Sequence, residues 1–307
     1  ISGIKMTTSI FHQMAIMTAL IAAGWFLCKR EILHADHIPS LTQLLLQVAS
    51  PSVILLSGNE IFQQEQARWL LTSFILAIVF HCLFLTAALL LFQRDPVLEN
   101  GVLLPNSGFM GIPLVQAVLG SSAVFLLTPF MIVNTLMQWT VGVYLMDHSS
   151  AFSLKKFLKT PMAIAVVLAM LLYFTPLALP PIIADVLTMT AALNTPLAML
   201  ILGALLAKTT LTQNWKLVRR CLPAAMARLL FMPLLVILIL KGLPVPEMLK
   251  MLLTLVSSCP CAVSVALFSE TLHQDSVKAT TLVLSSTMLS LMTIPLISTL
   301  ANFLWQL

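Results

Sequence analysis

Stretches of about twenty apolar residues recur from one end of this 307-residue chain to the other, and nothing else in it constrains the fold as strongly. About twenty residues of helix span the roughly 30 Å of hydrocarbon in a bilayer. Because lipid offers no water to pair with a free N–H or C=O, only helices and closed barrels satisfy their backbones there. The runs are continuous instead of alternating apolar with polar, which excludes barrel strands. With 59% apolar and 9% charged residues, against about 25% charged in an ordinary soluble domain, a water-soluble globule is excluded as well. The expected class is an all-α membrane protein embedded in a lipid bilayer.

Proline, glycine and charge clusters punctuate the chain into ten expected spans, at about 9–28, 40–57, 67–92, 100–119, 122–146, 160–179, 183–206, 219–241, 247–271 and 276–303. Of the sixteen Lys and Arg, eleven fall in the connections after odd-numbered spans and four on the opposite side, with Arg228 inside a span. The positive-inside rule then makes the odd connections cytoplasmic and both ends non-cytoplasmic, as expected of a multi-pass protein of the cell membrane. The net charge of +5 therefore reads as topology. No basic stripe interleaved with aromatics is present, so nucleic acid is not an expected partner. Lys29 and Arg30 follow the first apolar run, whereas a signal peptide carries its charge before it, so that run is expected to be a retained helix.

The basic connection at 147–159 divides the spans into five and five, residues 1–146 and 160–307. The halves echo one another: ASPSVILLSG (49–58) resembles NTPLAMLILG (194–203), and GIPLVQAVLGSSAV (111–124) resembles SVALFSETLHQDSV (264–277). Five is an odd number, so the second copy would lie upside down relative to the first. Such inverted repeats are a common build of secondary transporters, with the substrate near the midplane where discontinuous helices meet.

The fourth span holds LPNSGFMGIPL (104–114), with Pro105, Gly108, Gly111 and Pro113 inside ten residues. Pro113 has no N–H to give and the glycines ease irregular dihedrals, so a break is expected there. Freed backbone groups in lipid are costly unless they are buried in protein or line a cavity. Asn106 and Ser107 add side-chain donors, and a half-helix starting after the break would aim N–H groups and a partial positive charge at the midplane, which suits a carboxylate. Gly108, Met110, Gly111 and Ile112 complete this candidate site. The counterpart break is SSCPCAVSV (257–265), where Ser258, Cys259, Pro260, Cys261, Ala262 and Val263 are small or partly polar. Cys-Pro-Cys in a membrane helix is also a Cu(I) pattern of heavy-metal pumps. Those pumps need a phosphorylation domain that ten helices in 307 residues leave no room for, so neither a metal nor a cofactor is expected.

Ionisable groups inside a bilayer are expensive and often functional. Arg228, two turns into the eighth span, would either snorkel to the surface or attract an anion. His81, near the middle of the third, would be a neutral hydrogen-bonded residue or a proton relay. Asn134 and Gln138 lie four apart on one face of the fifth, either lining a cavity or joining helices. Glu60 at the end of the second span is either a solvated helix end or a charged site residue. No HExxH, paired aspartates or Ser-His-Asp set lies at membrane depth, so no enzyme is expected.

LPNSGFMGIPL resembles the fourth-helix crossover of the auxin efflux carrier family, where Leu-Pro-Asn and Met-Gly-Ile-Pro-Leu occur in the same order and spacing. Pro260, the small residues after it, Phe268 and a following acidic residue are similar to that family's second crossover. The resemblance implies a scaffold of spans 1, 2, 6 and 7 with a homodimer contact, and a moving transport domain of spans 3–5 and 8–10. It also implies that Asn106 and the backbone around Pro113 and Pro260 bind an anion, malonate- or malate-like in bacterial members. The short connection between spans 5 and 6 departs from the plant pattern and disfavours auxin. The expectation is a secondary transporter of a small mono- or dicarboxylate working by an elevator movement. The alternatives are a sodium-coupled symporter like the bile-acid carriers, or a non-transporting sensor or channel.

Overall fold

Twelve helices make up the computed structural model across the residues it describes, 3–59, 64–148, 159–175, 177–208 and 215–306. They are α1 (Gly3–Lys29), α2 (Ile38–Gly58), α3 (Gln64–Leu91), α4 (Pro96–Leu103), α5 (Ser107–Leu119) and α6 (Ser122–Met146), then α7 (Pro161–Phe174), α8 (Pro181–Ala207), α9 (Trp215–Lys241), α10 (Glu247–Ser257), α11 (Ser264–Thr271) and α12 (Ser276–Gln306). No strand occurs among the described residues, and extended pairing is confined to an isolated antiparallel bridge between Pro105 and Cys261. Among the described residues, seven helices are long and apolar enough to cross a membrane: α1, α2, α3, α6, α8, α9 and α12. The other three expected spans are shorter or divided. Span 6 is the 14-residue α7, while spans 4 and 9 are each split in two, as α4 with α5 and α10 with α11. Most of the connection at 147–159 lies outside the described residues, as does Glu60.

Large apolar side chains are exposed along the outside, among them Phe11 and Phe26 on α1, Leu71 and Ile75 on α3, Val167 on α7, Met189 on α8, and Met292 and Phe303 on α12. Inside, α12 buries Ser285, Ser286, Thr287 and Ser290. Apolar chains outside and small polar ones inside is the arrangement a helix takes when its solvent is hydrocarbon, because lipid tails give no reason to hide a leucine.

Without a hydrophobic force between helices, close backbone approach has to supply the packing. The main partner of α1 is α8, and that of α7 is α2. Glycines let them meet. A Cβ on Gly203 would collide with the Ile21 carbonyl and lie 2.7 Å from Trp25 N, and one on Gly24 would sit 2.8 Å from Leu200 Cα. A Cβ on Gly58 would collide with the Ala169 backbone. The other strong pairings are α3 with α6 and α9 with α12.

Four helices widen locally to π geometry, at Leu45–Ala49, Ser107–Gly111, Gln138–Gly142 and Ala227–Phe231. Three of these run directly into a proline at the second position of the next α segment: Pro51, Pro113 and Pro233. A proline inside a helix removes one N–H and crowds the carbonyl four residues earlier, and a wide turn relieves both. The fourth has no such proline, and there Asn100 packs against Gly142 and donates to its carbonyl at 3.1 Å.

Overpacking at a backbone contact costs about 1–3 kcal/mol. Gly203→Ala is therefore expected to lower the thermal unfolding temperature in detergent. Gly108→Ala, whose Cβ would meet nothing within 4 Å, is expected to leave it unchanged.

Candidate functional site: a crossover of two broken helices

The breaks between α4 and α5 and between α10 and α11 fall at the same place in space. Pro105 and Pro260 each lack an N–H, so neither segment can continue its own helical bonding through the break. The two complete one another instead. Asn106 N donates to the Pro260 carbonyl at 2.8 Å, and Ala262 N donates to the Leu104 carbonyl at 2.9 Å. Cys261 N donates to Ser286 Oγ of α12 at 3.2 Å.

Two helix C-termini and two N-termini converge here. Arg228 of α9 is fully buried, and it serves both C-terminal ends. Nη1 donates to the Val102 carbonyl at 2.9 Å, near the end of α4, and Nη2 donates to the carbonyl of Ser257, the last residue of α10. Its guanidinium also lies over the Phe84 ring, 4.6 Å from the centroid. A cation at two negative helix ends satisfies carbonyls that would otherwise have no donor and offsets their partial charge. No acidic side chain pairs with Arg228 among the described residues, and its Nε has no acceptor.

At the N-terminal ends, Asn106 caps α5 by accepting from Phe109 N at 3.3 Å, while its Nδ2, buried, has no acceptor. Gly108 in the next turn is partly exposed and faces open space. Ser264, which opens α11, donates to Gln138 Oε1 at 3.0 Å. Four residues earlier on α6, Asn134 Nδ2 donates to the Pro105 carbonyl at 3.2 Å and to Ser107 Oγ at 2.9 Å. Asn134 Oδ1 faces His81 Nε2 of α3 at 3.2 Å, and His81 Nδ1 lies 2.8 Å from the Ala77 carbonyl. On α12, Ser286 holds the second break while Ser290 lies 3.7 Å from Met110 Sδ in the first. The α6 helix thus holds both breaks with two polar residues four apart, while α12 holds the second through Ser286 and Ser290 donates to the Thr287 carbonyl of its own helix at 2.7 Å.

A family model described as membrane transport protein matches residues 9–155 and 147–298. The chain belongs to that family. This is the auxin efflux carrier type of membrane transport family, so the resemblance carried by LPNSGFMGIPL holds and the protein is a multi-pass membrane transporter. Its family members are transporters, not enzymes. A comparison with curated proteins finds no match.

The transporter gathers nearly all the candidate residues at the crossover. Asn106, Ser107, Gly111 and Ile112 line the first break or its exit, Ser258 to Val263 form the second, and Asn134, Gln138, His81 and Arg228 surround them. Asn134 and Gln138 join helices by joining the breaks. Arg228 does not snorkel. The first break is centred on Pro105, earlier than the density of glycines around Pro113 suggests. Pro113 sits just after the π segment, whose wide turn accommodates its ring and missing N–H within the helix. The cysteines Cys259 and Cys261 are fully buried, and the Cys259 thiol turns back 3.5 Å to the Leu255 carbonyl of its own helix.

Ser286 and Ser290 went unnoticed in the sequence. Their signal is there, two hydroxyls four apart within a span, but α12 is rich in Ser and Thr and composition alone does not separate these two.

Removing Arg228 leaves two buried carbonyls without donors, at about 1–3 kcal/mol each. Arg228→Leu is expected to lower thermal stability in detergent markedly. Arg228→Lys, a point donor with no fork to reach both carbonyls, is expected to fall between the two when melting curves are compared.

Proposed function

We propose that this transporter carries a small organic anion, a mono- or dicarboxylate of malonate or malate size, by alternating access at the crossover. The observation that carries the reading is the meeting of two helix breaks at one place. Arg228 occupies the negative helix ends there, which leaves the partial positive charge at the N-terminal ends of α5 and α11 without a counter-charge. The orphan groups of Asn106 and Arg228 are both donors, and no carboxylate accompanies them among the described residues. A site with excess donors and a fixed cation favours an anion.

The inverted 5+5 repeat is part of the same proposal. Gly58 and Gly203 end the two echoing segments, and each admits a neighbouring backbone: Gly58 that of α7, Gly203 that of α1. Asn134 and Gln138 on α6 hold the breaks from one side as Ser286 on α12 holds the second from the other. The pairings of α1 with α8 and α2 with α7 fit a scaffold, and those of α3 with α6 and α9 with α12 fit a moving body that holds the crossover. Sliding of one body past the other would expose the crossover to each side in turn.

Counterflow in proteoliposomes with a panel of mono- and dicarboxylates tests this reading. The wild type is expected to exchange at least one of them saturably, and Asn106→Ala to slow that exchange at least about tenfold, the effect of losing one charge-assisted hydrogen bond. A panel with no carried carboxylate overturns the substrate class. Full activity of Asn106→Ala overturns the placement of the site.

A further inference from the structure

His81 has one hydrogen too few for its surroundings when it is neutral. Both atoms facing its ring nitrogens are acceptors: the Ala77 carbonyl at 2.8 Å from Nδ1 and Asn134 Oδ1 at 3.2 Å from Nε2. A neutral imidazole carries a proton on one nitrogen, so either tautomer leaves one lone pair facing another. The obvious escape is to turn the Asn134 amide and present Nδ2 to the ring. That escape has a consequence on the far side. Asn134 Nδ2 is the donor to the Pro105 carbonyl and to Ser107 Oγ. Ser107 could reverse its hydroxyl and donate to the turned amide, but the Pro105 carbonyl can only accept. It would keep Ser107 N, at 2.8 Å, as a donor but lose this one and face Oδ1 at the centre of the first break.

Two self-consistent states follow. With an imidazolium, every contact along Ala77, His81, Asn134, Ser107 and Pro105 pairs a donor with an acceptor, and Asn134 clasps the break. With a neutral ring, the amide turns and the clasp on Pro105 opens. The proton on His81 is thus read out one helix away, at the cargo site.

The surrounding charges say when the proton would bind. His81 is fully buried, with the rings of Phe130 and Phe84 at 4.7 and 5.7 Å. The α6 helix places Tyr144 near its end, and α4 contributes Glu99, which accepts from Arg94 N and belongs to the rim with Asp95 and His148. The second helix brings no titratable side chain within Ile38–Gly58, and α10 brings Glu247 and Lys250 at its start, with the thiols of Cys259 and Cys261 beyond its end. The charged group felt at His81 is Arg228, which touches the same Phe84 ring. Two cations around one ring repel each other unless an anion arrives between them and the bulk.

Building on the proposed function, we propose that His81 is the proton-binding residue of the carrier, that Asn134 passes its charge state to the first break, and that a proton is carried together with the anionic cargo. The anion offsets Arg228 and the imidazolium, and the imidazolium closes the clasp beside the anion, so each favours the other by linkage.

Wild type and His81→Gln in proteoliposomes, with malonate and malate as probes, separate this inference from the reading it rests on. Counterflow at equal pH reports cargo transport alone. An imposed gradient, acid on the side of addition, reports the proton. With the membrane potential clamped at zero, the wild type is expected to accumulate cargo about tenfold per pH unit for one proton carried. His81→Gln, which keeps a fixed donor toward Asn134, is expected to exchange cargo without accumulating it. Counterflow without gradient-driven accumulation in the wild type overturns the inference while sparing the transporter reading, and so does full accumulation by His81→Gln. Should neither probe be carried, nitrogen-15 spectra of labelled histidine in detergent decide independently. The signal missing from His81→Gln is expected to convert to the imidazolium form as pH falls from 8 to 4, and a ring that stays neutral throughout overturns the proposal.

Discussion

A backbone that stops being helical in the middle of a bilayer must find partners for its N–H and C=O groups, and it has no water to turn to. Everything at the centre of this transporter answers that requirement. Pro105 and Pro260 remove the donors that would have let each helix run on, and the residues beside them pair across the gap, Asn106 with Pro260 and Ala262 with Leu104. Neither break would be tolerable alone. Their dependence on each other fixes α4 and α5 against α10 and α11, and it places four helix ends around one point.

The remaining polar groups then sort by sign. Arg228 goes to the carbonyl ends, while Asn134, Gln138, Ser286 and the cap of Asn106 hold the extended segments and the first turns after them. A guanidinium is suited to its place because its fork reaches two carbonyls on different helices. The ion pair between Lys278 and Asp95 at 2.9 Å, partly exposed at the rim, ties the start of α12 to the start of α4. Being screened by solvent, it contributes little beside the buried network, about 0–1 kcal/mol.

Much of this was open to reading from the residues. The length and continuity of the apolar runs gave the helices, and the bounds of α2, α6 and α8 agree closely with the expected spans because proline, glycine or charge marks their ends. The two helix breaks were legible because Pro105, Asn106 and Pro260 are costly in a membrane helix without a reason. What stayed hidden depended on partners far away in sequence. That Arg228 serves Val102 and Ser257 follows from where α9 packs, which no local pattern encodes. Ser286 and Ser290 look like their neighbours until the second break lies against them. The π segments shift the apparent break from Pro113 to Pro105, since a wide turn lets the later proline fit inside regular helix.

Arg228 also has an electrical meaning. A full charge sealed inside the protein feels any voltage across the membrane, and moving one elementary charge through a drop of 100 mV takes about 2.3 kcal/mol. If the body that holds Arg228 shifts while empty, it does part of that work. If it shifts with a dianion against the guanidinium and a proton on His81, the charges cancel and the loaded step becomes nearly indifferent to voltage.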